Sequence, residues 1–349
     1  MASDFLSRIK QSPVLCDGAM GTLLYEKGIF INRSYDELNL SQPDLIRGIH
    51  HDYLQAGAEI VETNTFGANL FRLARHSLAD KVLDINRAGV RLAREAVKSF
   101  DVWVAGSVGP LGTRIEPLGK TSFQEARDAF RQQIAALVES GVDLLILETF
   151  GYLEEIHQAI LAARDVSVSI PVVAQVTIDE DGNCLDGSDA ETFAPKLQEW
   201  GADVIGCNCS VGPVAMFETM ERVRAATSLP LAAQPNAGIP RSVDGRNIYL
   251  CSPEYMASYA RKFVGIGVRL VGGCCGTTPE HIRVMKTALR VGEARSRTAS
   301  AHATGTTAQP KAVPAVPLED RSTLGKKLAL GEFVTMVEVV PPKGIDVGK

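Results

Sequence analysis

One junction recurs along this chain and restricts its fold more than any other feature. An amphipathic stretch ends at a glycine, and a short β-branched run begins just after it. The junction occurs as Ala56-Gly57-Ala58, Ser140-Gly141-Val142-Asp143, Trp200-Gly201-Ala202-Asp203 and Gly265-Ile266-Gly267. A left-handed glycine closes a helix without a steric penalty and turns the chain toward the next element. Strands are expected near residues 14–17, 59–63, 102–107, 143–148, 172–177, 203–208, 231–235 and 269–273. Helical periodicity falls between them, over 43–56, 122–140, 190–200, 214–226 and 253–263, with Ser41 and Ser122 as candidate N-caps and Pro43, Pro253 and Pro279 near first turns. Eight strands alternating with eight helices over about 280 residues match the size and order of a (β/α)8 TIM barrel. A doubly wound sheet would carry a phosphate fingerprint. Here Gly106-x-x-Gly109-x-x-Gly112 has the wrong spacing, and Gly265-x-Gly267 precedes a strand rather than following one. The predicted fold class is therefore α/β, a TIM barrel.

At 349 residues, 45% hydrophobic and 22% charged, the chain can bury a substantial core. A net charge of -5 offers no general attraction to nucleic acid or to a membrane surface. The N-terminus lacks the pattern of a signal peptide, and no apolar stretch approaches the roughly 18 residues of a membrane span. A cytoplasmic chain without nucleic-acid or membrane partners is expected. Composition changes after about residue 291: 295–322 is rich in Ala, Thr, Ser and Pro and has no aromatic residue, which reads as a flexible linker. The apolar run 333–342 then looks like a strand with nothing left to pair with. The expected domains are a barrel over 1–292, a linker over 293–323, and over 324–349 the start of a second domain belonging to a longer protein.

The chemistry concentrates in Gly272-Gly273-Cys274-Cys275-Gly276-Thr277-Thr278, directly after the run Val268-Arg269-Leu270-Val271. Neighbouring side chains of a strand face opposite ways, so both sulfurs can meet one ion only if the backbone bends. The flanking glycines permit that bend. A second thiol source, Cys207-Asn208-Cys209-Ser210, ends another strand. The cysteine count is odd, seven, and in a cytosolic chain thiols more often bind metal or react than pair. Three thiolates from two strands suit zinc with one position left open. A substrate thiol entering that position would ionise well below its usual pKa of about 8.5. Four sulfur anions around a divalent cation leave a charge of about -2, which keeps the sulfur nucleophilic and suits thiol alkylation. The competing arrangement is a closed structural zinc holding both Cys207 and Cys209. Spacing leaves the choice between these two open, although Cys207, one step inside its strand, suits packing. Cys16, Cys184 and Cys251 read as packing or surface thiols, and no histidine falls at a strand end.

Barrel enzymes place their reactive groups at the C-terminal ends of the strands. Those ends carry Asp17, Glu62-Thr63-Asn64, Ser107, Glu148-Thr149, Gln175, Asn208-Cys209, Gln234, Asn236 and Cys274-Cys275. A buried Glu148 needs a cationic partner, which a ligand ammonium would supply. The turn Asp17-Gly18-Ala19-Met20-Gly21-Thr22 offers backbone amides suited to a carboxylate.

Five motifs resemble the homocysteine S-methyltransferase family over about residues 10 to 292. They are Gly206-Cys207-Asn208-Cys209-Ser210-Val211-Gly212-Pro213, Pro235-Asn236-Ala237-Gly238, the paired-cysteine motif, the Asp17 turn, and Glu62-Thr63-Asn64-Thr65-Phe66. The resemblance implies a Zn2+-dependent barrel that moves a methyl group onto the thiol of L-homocysteine to give methionine. It also implies Cys209, Cys274 and Cys275 as catalytic zinc ligands, with Asn236 filling the fourth position before substrate arrives. Substrate contacts carried over are Asp17, Gly18, Ala19 and Met20 for the carboxylate, Glu148 for the ammonium, and Thr149 and Asn236 beside them. The methyl donor is either a small molecule or one carried by another protein. Residues 333–342, with Glu338 and Pro341-Pro342, look like the first strand of methylenetetrahydrofolate reductase. That likeness implies an attached reductase domain whose FAD site lies beyond Lys349. The alternative is a non-catalytic module that binds homocysteine or zinc and regulates that reductase.

Overall fold

Along the expected strand positions the chain forms β1 (Val14–Leu15), β2 (Ile60–Glu62), β3 (Trp103–Val108), β4 (Leu144–Phe150), β5 (Val172–Val176), β6 (Val204–Asn208) and β7 (Leu231–Gln234). A hairpin, β8 (Arg241–Val243) and β9 (Arg246–Ile248), precedes the last barrel strand, β10 (Val268–Val271). The computed structural model describes residues 2–30, 33–243, 246–300, 317 and 322–334. The barrel strands pair in parallel in the order β1-β10-β7-β6-β5-β4-β3-β2. A bridge between Cys16 and Ile60 joins the two outer members. Beside it the Glu59 amide donates to Leu15 O at 2.7 Å and the Asp17 amide to Ile60 O at 3.1 Å. The sheet therefore curls into a (β/α)8 barrel, as expected.

Helices at Pro43–Ala56, Phe123–Glu139, Ala190–Glu199, Pro213–Ala226 and Pro253–Gly265 follow the predicted stretches. Gly57, Gly141, Gly201 and Gly267 all take φ between 93° and 100°, the left-handed stop that the junctions required. Ser122 caps its helix through a reciprocal bond with Glu125. Ser41 does not act as a cap. It ends a short helix, Leu38–Ser41, and its hydroxyl donates to Glu37, so Gln42 stands at the cap of the next helix without a side-chain bond.

Strand alternation sorts the core into two clusters. Val14, Ile60, Ala105, Leu144, Ile146, Val173, Val204, Ala232 and Leu270 are buried together inside the barrel. Their sequence neighbours, among them Val61, Val104, Leu145 and Val172, pack outward with the helices. The N-terminal helix Ala2–Gln11 seats Phe5 and Ile9, both fully buried, against the inner cluster. The Phe5 ring meets Trp103 edge-on at 5.8 Å. Emptying such a site costs about 3–5 kcal/mol. Phe5→Ala is therefore expected to lower the unfolding free energy by that amount, read as a lower denaturant midpoint at an unchanged slope, and an unchanged midpoint would mean that the helix does not seal the barrel.

The chain divides into two compact units, Met1–Thr298 and Ala299–Lys349. The helix Pro279–Ser300 continues through residues 293–300, into the stretch expected as linker. The good helix formers of 293–297 account for the continuation, because the Thr- and Pro-rich sequence begins only later. In the second unit the described residues include a helix, Thr323–Ala329. Residues 335–342 of the expected reductase-like strand lie outside the described residues. No described helix is long and apolar enough to cross a membrane.

Candidate active site

Two residues above the inner apolar cluster, the inward positions become polar. Glu62 follows Ile60, Ser107 follows Ala105, Glu148 follows Ile146, Gln175 follows Val173, and Gln234 follows Ala232. On β6 the inward position after Val204 is Gly206, and Asn208 comes next. A side chain at Gly206 would put its Cβ 1.8 Å from Ala232 O, so only glycine lets the strands approach there.

The cysteines lie above this layer on bent backbone. Cys209 and Ser210 take φ of 60° and 56°, a left-handed pair that is strained for non-glycine residues. The bend is held by the Cys209 amide donating to Gln234 O at 3.1 Å and the Val211 amide donating to Cys209 O at 2.7 Å. After β10 the Gly273 amide donates to Asp17 O (3.2 Å), the Cys274 amide to Pro235 O (2.9 Å) and the Ala237 amide to Cys275 O (2.9 Å). Gly276, at φ 79°, turns the chain back. The ring of Tyr249 lies so close to Gly276 that a Cβ there would come within 2.2 Å of it. The sulfurs of Cys209, Cys274 and Cys275 then lie within 4.8 Å of one another, with Cys209 and Cys275 at 3.7 Å. Hydrogen bonds from Cys209 and Cys274 pull the Cys275 thiol down to about 3. The bonds with Cys209 and Cys275, together with burial, push Cys274 well up. Thiols crowded in this way compete for protons, which a divalent cation would displace.

Cys207 faces the other way, fully buried in the outer cluster. Cys16 is buried, as a packing thiol would be, but ligand-type groups adjoin it. Its sulfur donates to Glu62 Oε1 at 3.3 Å, and Cys16, Asp17 and Glu62 form a second group within 4.8 Å. Asn236 is buried beside the paired cysteines, between the two residues that bond to them, and its Oδ1 has no partner among the described residues. It is not among the residues lining the cavity described below.

Three carboxylates face one another across the barrel mouth. Glu148 accepts from the Ser107 hydroxyl and from Asn208 Nδ2 at 3.3 Å. Glu62 accepts from Gln234 Nε2 at 2.7 Å, and its own amide donates to Asp17 Oδ2 at 3.0 Å. Burial, then the charge of Glu62, push the carboxyls of Glu148 and Asp17 well above the usual range. No cation is paired with them among the described residues. The sequence names Glu62 as a polar strand end without giving it a role; its place two residues after Ile60 sets it in the inward layer beside Glu148 and Asp17. Thr149, at φ 64°, is held by Asn208, which accepts from the Thr149 amide at 2.7 Å and donates to its hydroxyl at 2.8 Å.

In the first turn, the Asp17 amide donates to Ile60 O and the Ala19 amide to Thr277 Oγ1. That leaves the amides of Gly18 and Met20 without a partner among the described residues. Thr277 Oγ1 in turn donates to Cys274 O at 2.6 Å, and the Tyr53 hydroxyl bonds to both Ala19 O and Thr277 O. The turn and the cysteines are thus parts of one hydrogen-bonded body. Asp17, Gly18, Ala19, Met20, Glu148, Thr149 and the three cysteines all line one cavity of about 580 Å³.

The profile of the homocysteine S-methyltransferase family matches residues 14–289. The chain belongs to the homocysteine S-methyltransferase family. It is 34% identical over 303 residues to methionine synthases of Mycobacterium leprae (strain TN) and Mycobacterium tuberculosis (strain ATCC 25618 / H37Rv), covering 82% of this chain and 25% of each relative. The chain thus spans about a quarter of the length of these curated relatives. Among solved structures, the metallated form of the Escherichia coli homocysteine methyltransferase MmuM superposes with a TM-score of 0.68 at 26% identity, covering 80% of this chain and 96% of that one. The oxidised form of the same protein gives 0.67 at 26% identity, covering 79% and 95%. The family's defining region, residues 14–289, coincides with the barrel, and the cavity opens at the C-terminal ends of its strands.

Proposed function

We propose that this barrel transfers a methyl group to the thiol of L-homocysteine, forming methionine, with Zn2+ as its cofactor. The observation that carries the reading is the trio of sulfurs from Cys209, Cys274 and Cys275, within 4.8 Å of one another at the wall of a cavity that also reaches Glu148 and the Asp17 turn. The donor set fits zinc: three soft thiol ligands on bent backbone, with the unpartnered Oδ1 of Asn236 close by as a fourth. A zinc ion held there supplies a Lewis-acid position at which the substrate sulfur ionises at neutral pH.

The chain's own residues bind, orient and shield. Glu148, with Glu62 and Asp17 beside it, receives the substrate ammonium, whose charge relieves three crowded carboxyls. The free amides of Gly18 and Met20 receive the carboxylate. Thr149 is fixed by Asn208 between the carboxylates and Cys209. Held at both ends, the sulfur meets the methyl carbon in line, and most of the rate gain comes from that alignment. The family membership and the metallated MmuM neighbour support this reading. Residues 324–349 are proposed as the start of a methylenetetrahydrofolate reductase-like domain, on their sequence alone.

Zinc-edge X-ray absorption with and without L-homocysteine tests the site. The expected change is from three sulfurs and one lighter atom to four sulfurs. Four sulfurs from the outset, unaltered by homocysteine, would sink the catalytic reading and leave a structural zinc.

A further inference from the structure

The same cavity changes sign from floor to rim, and homocysteine uses only the floor. A volume of about 580 Å³ falls in the range of pockets for drug-sized ligands, about 300–1,000 Å³, and exceeds what a small amino acid needs. The floor carries Asp17, Glu62 and Glu148, whereas the rim carries Arg33, Arg72, Arg75 and His76. Arg33 is paired with Glu37 at 2.6 Å. Arg72 and Arg75 have no carboxylate within ion-pair distance among the described residues; their bonds go to backbone. Arg72 Nε donates to Pro110 O at 2.7 Å, and Arg75 donates to Gly112 O. Arg72 also lies over the Phe66 ring at 5.2 Å. The ring in turn packs on Gly109, where a Cβ would come within 2.3 Å of it. The guanidinium is thus oriented by one nitrogen and one ring, and its terminal nitrogens are left to the cavity. Burial, with repulsion from Arg75, pulls the Arg72 pKa down against the nearby carboxylates of Asp36 and Glu155, neither of which is within ion-pair distance.

We propose that Arg72 and Arg75 form an oxyanion subsite that holds the carboxylate or phosphate group of the methyl donor, above homocysteine in the same cavity. A guanidinium fork matches either oxyanion with two parallel bonds, which a lone ammonium does not. Anchoring the donor by its acid group at the rim leaves its methyl end free to point toward the cysteines. The inference rests on the floor being the homocysteine site, and the two can fail separately.

The test is calorimetric titration of zinc-loaded protein with glutarate and with inorganic phosphate, each with and without saturating homocysteine. Wild type, Arg75→Gln and Arg72→Gln are compared. At least one anion is expected to bind, with affinity falling about tenfold or more in each variant and falling steeply with added salt. Glutarate alone would identify a carboxylate donor, and phosphate alone a phosphate donor. Binding by neither anion, or binding equally tight in both variants, overturns the subsite. Arg75 is exposed and its change leaves the Phe66 contact intact, so a folding defect in Arg72→Gln would not obscure the result. If homocysteine fails to bind while the anions do, the floor assignment falls and the rim assignment stands.

Discussion

Cys209→Ser is expected to lower kcat/KM for homocysteine by about 3 × 10³-fold and to reduce bound zinc below one per chain. Two losses combine in that figure. Without full coordination the substrate thiol reverts toward its ordinary pKa of about 8.5, leaving only a few per cent thiolate at neutral pH, a loss of about 30-fold. Misplacing the sulfur by about 1 Å costs about another 10²-fold. Serine nearly preserves volume, and Cys209 already sits on strained backbone held by Gln234 and Val211, so the fold should survive. Metal analysis alongside the assay separates the two losses. Full zinc content in the variant would remove Cys209 from the ligand set.

Glu148→Gln is expected to weaken homocysteine binding about 10- to 100-fold while kcat changes less, because a charged hydrogen bond is worth about 1.5–3 kcal/mol. The pH dependence follows from the raised carboxyl. An acid pushed up by burial is protonated over part of the acidic range, and the ammonium must displace that proton. Homocysteine affinity should therefore fall as pH is lowered below the pKa of free Glu148 and level off above it. Glutamine cannot titrate and should flatten the slope. Calorimetry in buffers of different ionisation enthalpy would detect the proton released on binding. An unchanged affinity and slope would assign the ammonium to Glu62 or Asp17 instead.

Much of the architecture was legible because the barrel repeats one local rule. Each glycine stop was visible, and the β-branched runs that follow were short and bounded. The paired cysteines were equally readable, since their glycines announced a bend that the structure contains. Other features were visible and went unread. Phe5 and Ile9, four apart, mark the face of the N-terminal helix, and Asp244-Gly245 between 241–243 and 246–248 is a strong hairpin signal. Glu62 required counting strand register from Ile60 rather than noting a polar strand end. The basic rim had no local signature. Arg33 comes from the loop after β1, and Arg72 and Arg75 come from the short helix after β2, so their convergence depends on the closed barrel. The turn amides show the same limit. Sequence suggested a carboxylate cradle, but only the fold shows that Ala19 already donates to Thr277.

The sealed lower end governs traffic through the barrel. With Phe5 and Ile9 stoppering the barrel and an apolar layer filling its interior, the described residues close its lower end, and the cavity is reached from the strand ends. On the proposed reading homocysteine, seated deepest, has to arrive before the donor closes over it, and the spent donor has to depart before methionine can. Catalysis under that geometry runs as a compulsory queue, which initial-rate and product-inhibition patterns with homocysteine as leading substrate would display. A random order of addition would mean a second way in.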